Sequence, residues 1–158
     1  MIEPFADVLG QAAAVARLEQ AVAAPVHAYL LLGPRGSGSE AAARGFAALL
    51  LSAGKSGDAA DRDRRLALAG AHPDLQIFEP HGTAYRVEEA EAIISAAATS
   101  PVEGQRKVIV VRTVEVLVEA TIGKLLKVIE EPPATVVFIL LAEEIRPCLL
   151  YTSPSPRD

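Results

Sequence analysis

Apolar residues recur along the chain with a helical period in some stretches and as short unbroken runs in others, and the two alternate. Over Gln11 to Val22, Ala14, Val15, Leu18 and Val22 share one helical face. His27 to Leu32 is a short apolar run closed by Gly33, which predicts a buried strand. Ser39 to Ala53 predicts a helix with Ala42, Phe46, Leu49, Leu50 and Ala53 turned inward. Ser52 to Gly70 is polar and holds glycines, so it reads as a loop or a weak helix. Within it Arg62, Arg64 and Arg65 alternate with Asp61 and Asp63, which favours a solvated loop. His72-Pro73-Asp74 punctuates the chain, and Leu75 to Phe78 predicts a second strand, closed by Pro80 and Gly82. Val87 to Ala98 predicts a helix with Val87, Ala90, Ile94 and Ala97 aligned, broken by Ser100-Pro101 and Gly104. Lys107 to Val111 is β-branched and apolar, a third buried strand. Val118, Ile122, Leu125, Leu126 and Ile129 repeat with helical spacing, and that helix must stop at Pro132-Pro133, since a residue before proline disfavours the α region. Thr135 to Leu141 predicts a fourth strand.

Helices alternate with strands that are apolar on both faces. That pattern predicts an α/β fold, a mostly parallel sheet covered by helices on both sides. A chain of 158 residues, 51% apolar, suits one domain with a sizeable core. The longest apolar runs, such as Val136 to Ala142, are too short to span a bilayer. The N-terminus shows no basic region followed by an apolar stretch, so no secretory signal is expected and a cytoplasmic location is the default. Cys148 is the sole cysteine, which excludes an internal disulfide and a four-cysteine zinc site. The net charge of −5 argues against a domain that grips nucleic acid alone.

Candidate chemistry centres on Gly33-Pro34-Arg35-Gly36-Ser37-Gly38-Ser39-Glu40, between the first strand and the helix after it. A phosphate-binding loop has the pattern G-x-x-x-x-G-K-[ST] at that place. Its glycines let backbone N–H groups converge on phosphate oxygens, its lysine reaches the terminal phosphates and its hydroxyl holds magnesium. Here both framing glycines are present, but Ser39 stands at the lysine position and Glu40 at the hydroxyl position. A carboxylate facing a polyanion in a desolvated pocket is electrostatically costly. Arg35 offers positive charge only from the middle of the loop. The acidic pair that would hold metal and polarise water belongs at the end of a buried strand. The strand Val108 to Val111 ends instead in Arg112-Thr113. Two separate losses in one site predict a loop that keeps its shape without ATP hydrolysis, and no cofactor or metal is expected; the alternative reading of the loop is weak residual ATP binding.

Several stretches, in order, carry a resemblance to a known family. They are Val8-Leu9-Gly10-Gln11, His27-Ala28-Tyr29-Leu30 running into Gly33-Pro34-Arg35-Gly36, His72-Pro73-Asp74, Pro101-Val102-Glu103-Gly104 before Lys107-Val108, and Leu125-Leu126-Lys127-Val128-Ile129-Glu130-Glu131-Pro132-Pro133. The chain resembles the bacterial clamp-loader AAA+ subunits over roughly residues 4–147. The resemblance implies a three-layer α/β/α P-loop NTPase core, RecA-like, with strand order 5-1-4-3-2. It further implies a place in the ring that loads the sliding clamp onto primed DNA within the DNA polymerase III holoenzyme. Partners would be other loader subunits, gamma/tau and delta, with clamp and DNA met indirectly and no membrane.

Gamma/tau members carry the loop lysine, the acidic pair and a four-cysteine zinc module, and this chain lacks all three; the departures favour the delta-prime branch, a non-hydrolysing stator. The alternative is an ATP-hydrolysing subunit of gamma/tau type. By the same resemblance Gly33, Gly36, Gly38 and Ser39 would form a vestigial phosphate loop, and Val8, Gly10 and Gln11 a vestigial adenine pocket. The family's Ser-Arg-Cys arginine has no match here; Arg146 lies near and is not given that role.

The remaining charged residues read as structural. Lys124 and Lys127 fit a solvated helix surface, His72 a turn, and His27 a packing or capping position before the first strand. From Cys148 to Asp158 the pattern is lost, and Pro154 and Pro156 preclude helix and strand. That stretch reads as the in-frame translation of a transposase sequencing adapter, so residues 148–158 are expected to be a non-native tail and residues 1–147 a truncated domain. The fifth strand, lid and collar of the family would then be missing, leaving the first strand as an open edge.

Overall fold

A computed structural model describes residues 3–143 apart from Asp7, Leu9, Gly10, Arg35 and Val118. The expected boundary at residue 147, Arg146 and the tail lie outside these described residues. Four parallel strands form one sheet: β1 Ala28–Leu32, β2 Leu75–Phe78, β3 Lys107–Val111 and β4 Val136–Ala142, in the order β1-β4-β3-β2. The helices are α1 Ala12–Ala21, α2 Ser39–Ser52, α3 Gly57–Leu68, α4 Val87–Ala98 and α5 Glu119–Glu130, with a short 3₁₀ turn at Val114–Val116 after β3. Each strand is joined to the next along the chain by at least one helix, the kind of crossover that a parallel sheet requires.

The two inner strands show why the unbroken apolar runs were needed. Side chains alternate across a strand. Val108 and Val110 of β3, with Val137, Ile139 and Leu141 of β4, pack under Phe46, Leu50 and Leu51 of α2. Ile109, Val111, Val136 and Phe138 point the other way, onto Ile93 and Ala97 of α4 and Ile122, Leu125 and Ile129 of α5. All five residues of β3 are buried.

β1 is different. It pairs only with β4 among the described residues, and Leu30 and Leu32, on one face of it, are 47% and 52% exposed.

Four expectations need correction. Residues 57–68 are a regular helix, not a solvated loop, and Asp63 within it is fully buried. The sequence hid this because the inner side of α3 is Ala60, Asp63 and Ala67, an apolar stripe with a charge at its centre. On α4 the buried set is Ala90, Ile93, Ala96 and Ala97, while Val87 in its first turn is 49% exposed. On α1 and α2 the stripes are shifted: Ala14 and Ala53 are exposed, and Ala43, Ala47 and Ala48 join Phe46 inside. His27 has an exposed side chain; its backbone carbonyl accepts a hydrogen bond from the Phe138 N–H.

Candidate functional site

The cradle begins where β1 ends. The Gly33 N–H donates to the Ala142 carbonyl, which ties the ends of β1 and β4 together as the loop departs. Gly36 and Gly38 have φ of 86° and 92°, the left-handed region that favours glycine. Gly38 also serves as the cap residue of α2, whose first turn is Ser39-Glu40. Gly33, Gly36, Gly38 and Ser39 therefore stand together at the C-terminal ends of the strands, lining a cavity of about 760 Å³ with Glu79, Thr83, Arg112 and Thr113. An adjoining cavity of about 570 Å³ is lined by Val8 and Gln11 with Tyr29, Leu31 and Ser39. The structure thus brings Gly33, Gly36, Gly38 and Ser39 to one cavity and Val8 and Gln11 to the next; Gly10 and Arg35 are outside the described residues.

Glu40 and Arg112 meet across the larger cavity. The Arg112 guanidinium donates to Glu40 Oε1 through Nη2 and to Glu79 Oε1 through Nη1, the latter at 2.6 Å. Arg44, one turn along α2, donates to the other Glu40 oxygen at 2.9 Å and to the Leu68 carbonyl at 3.1 Å. Partial burial pushes the Glu40 carboxyl upward, but Arg112 and Arg44 overcome this and hold it below its usual range. The hydrogen bond to Glu40 raises the Arg112 value in turn. The two positions read separately from the sequence therefore meet in one ion pair. Set against the phosphate-loop pattern, a cation stands at the position of the acid and a carboxylate at the position of the hydroxyl. Each neutralises the other.

The backbone beneath is held in place as well. The Arg112 N–H donates to the Phe78 carbonyl at 2.8 Å, and the buried Tyr85 hydroxyl donates toward the Phe78 and Arg112 carbonyls. Thr113 has φ 53° and ψ 49°, a left-handed conformation that is strained for a β-branched residue.

A second polar cluster lies at the opposite ends of the strands. Asp63, His72 and Glu103 bring their ligand atoms within 4.8 Å of one another. The Asp74 N–H donates to His72 Nδ1 at 3.0 Å, so the neutral ring carries its proton on Nε2 and gives it to Asp63 Oδ1, also at 3.0 Å. With both ring nitrogens engaged, the histidine has no lone pair left for a metal. His72 does shape the turn expected of it, and its link to Asp63 was not legible in sequence. Lys124 and Lys127 are exposed on α5, as expected.

A parallel sheet with helices on both faces and a glycine-rich turn between β1 and α2 defines a P-loop-type α/β domain. The profile of a family described as DNA polymerase III, delta subunit, matches residues 10–153. The DNA polymerase III subunit delta′ of Pseudomonas aeruginosa is 33% identical over 125 residues, covering 75% of this chain and 38% of that protein. The gamma/tau subunit of Mycobacterium tuberculosis is 31% identical over 148 residues, covering 89% and 25% respectively. A DNA polymerase III gamma subunit-related protein from Thermotoga maritima shares the fold, with a TM-score of 0.58 at 16% identity over 90% of this chain and 46% of that one. The chain belongs to the delta-prime-type clamp-loader family of DNA polymerase III, and it spans well under half the length of these relatives.

Proposed function

We propose that this chain is part of a clamp-loader subunit that works without nucleotide turnover of its own, a delta-prime-type stator in sliding-clamp loading during DNA replication. Its partners in this reading are gamma/tau and delta, with the sliding clamp and primed DNA met through the assembly, in the cytoplasm. The observation that carries it is the Glu40–Arg112 pair. Magnesium would need a hydroxyl from position 40 and an acid from position 112, and neither is available. Phosphate oxygens would meet Glu40 in place of a lysine partner at Ser39. Thr113 offers no carboxylate to polarise water.

A gamma/tau-type ATPase is the second reading, favoured by the 31% identity to gamma/tau over 89% of the chain. The full-length protein separates the two. Titration with ATP and magnesium is expected to show no magnesium-dependent binding in the low micromolar range. Submicromolar, magnesium-dependent affinity with turnover would establish the ATPase instead.

A further inference from the structure

The cluster at the N-terminal ends of β2 and β3 closes into a circuit. Asp74 is completely buried, yet both of its oxygens serve one short surface segment: Oδ1 accepts the Val102 N–H, and Oδ2 accepts the Glu103 and Gly104 N–H groups at 3.0 and 2.8 Å. Its own N–H donates to His72 Nδ1, and His72 Nε2–H donates to Asp63. Lys55 Nζ and the Arg62 guanidinium donate to Asp63 at 2.5 and 3.3 Å. Arg62 then returns to Glu103 with two bonds of 2.9 and 3.1 Å. At the tip of the segment so held, Val102 is 72% exposed.

We propose that His72 is a proton-sensitive latch for the 101–104 segment. The geometry allows one neutral form only, because a backbone N–H can donate and never accept. A proton added at Nδ1 would set donor against donor at Asp74 N. The imidazolium is drawn more strongly to Asp63, so the ring leaves the turn for α3. The turn that aims the Asp74 carboxylate then opens, and the three backbone donors of the segment lose their acceptor together. The charged groups facing the ring are Asp63, Arg62, Lys55, Asp74 and Glu103, and Arg106 lines the same cavity. Burial pushes the Asp63 and Asp74 carboxyls upward, but their donors hold both below the usual range. Both therefore stay ionised throughout the mildly acidic range.

Amide hydrogen exchange of the full-length protein, followed from pH 8 to pH 5 and corrected for intrinsic rates, tests the latch. Protection at Val102, Glu103 and Gly104 is expected to fall about tenfold across that range, with the amides of β3 unchanged. His72→Asn keeps an acceptor for the Asp74 N–H but cannot take the proton, and its protection is expected to be flat with pH. Wild-type protection that does not change, or an H72N protein that follows the wild-type curve, would overturn the proposal. Nitrogen-15 shifts of the His72 ring in the wild-type protein give a test that needs no variant. An Nε2–H ring at pH 8 that titrates together with the 102–104 amides supports the latch; an Nδ1–H ring, or curves that do not coincide, would sink it.

Discussion

Glu40 and Arg112 are 72 residues apart in sequence, and each departs from the phosphate-loop pattern. Together they form an ion pair whose side chains are 36% and 29% exposed, which limits its strength. Neutralising both in a double-mutant cycle, with Glu40→Gln and Arg112→Gln, is expected to give a coupling energy of about 0.5–1 kcal/mol in chemical denaturation, decreasing with added salt. A coupling indistinguishable from zero would show that the pair does not brace the cradle. Asp74 is a stronger case, because its partners are three backbone N–H groups and it is fully buried. Asp74→Asn is expected to lower stability by about 2–3 kcal/mol at neutral pH, the worth of hydrogen bonds to a charged group. Asp63 and Asp74 both titrate lower folded than unfolded. Their contribution is therefore full above the ordinary aspartate value of about 3.9 and is lost as the pH falls through the depressed folded values. The acid limb of a stability–pH curve should accordingly be shallower in the Asp74→Asn protein than in the wild type.

Two helical glycines of the same type predict opposite outcomes. Gly45 in α2 is buried, and a Cβ there would lie 2.6 Å from both the Pro4 carbonyl oxygen and the Phe5 ring. Gly123 in α5 is exposed and has nothing within 4 Å of that position. Helix propensity alone favours alanine over glycine by about 1 kcal/mol at either site. Gly123→Ala should therefore stabilise by about that amount, whereas Gly45→Ala should destabilise by about 1–3 kcal/mol because the N-terminal segment must shift. Thermal unfolding of both variants checks the pair, and a stabilised Gly45→Ala protein would contradict the packing described. The elements themselves were largely readable. β3, β4 and α5 follow from apolar runs and spacing because their cores are made of Val, Ile, Leu and Phe. α3 was not readable, because its inward side carries Asp63, and no hydrophobic period marks a charge that is buried through partners on other elements.

Two core clusters lie on either side of one sheet, and among the described residues β1 borders it with Leu30 and Leu32 exposed. An apolar, unpaired edge is a template for association. A polypeptide of these 158 residues expressed by itself is expected to self-associate, and Leu30→Lys with Leu32→Lys to reduce this in light scattering. A stable monomer that joined other loader subunits would count against that expectation. The candidate site was half legible at this level. Missing lysine and acid could be read directly, since a motif is local in sequence. Their mutual compensation could not, since it needs the first turn of α2 and the end of β3 to face one cavity. Apolar pattern alone sufficed for the layers and most of the elements, because a residue's tendency to leave water depends on its own surface. Which charges are paired, buried or strained was left to the folded chain, because Coulomb and hydrogen-bond energies depend on distances that only the assembled sheet and helices fix.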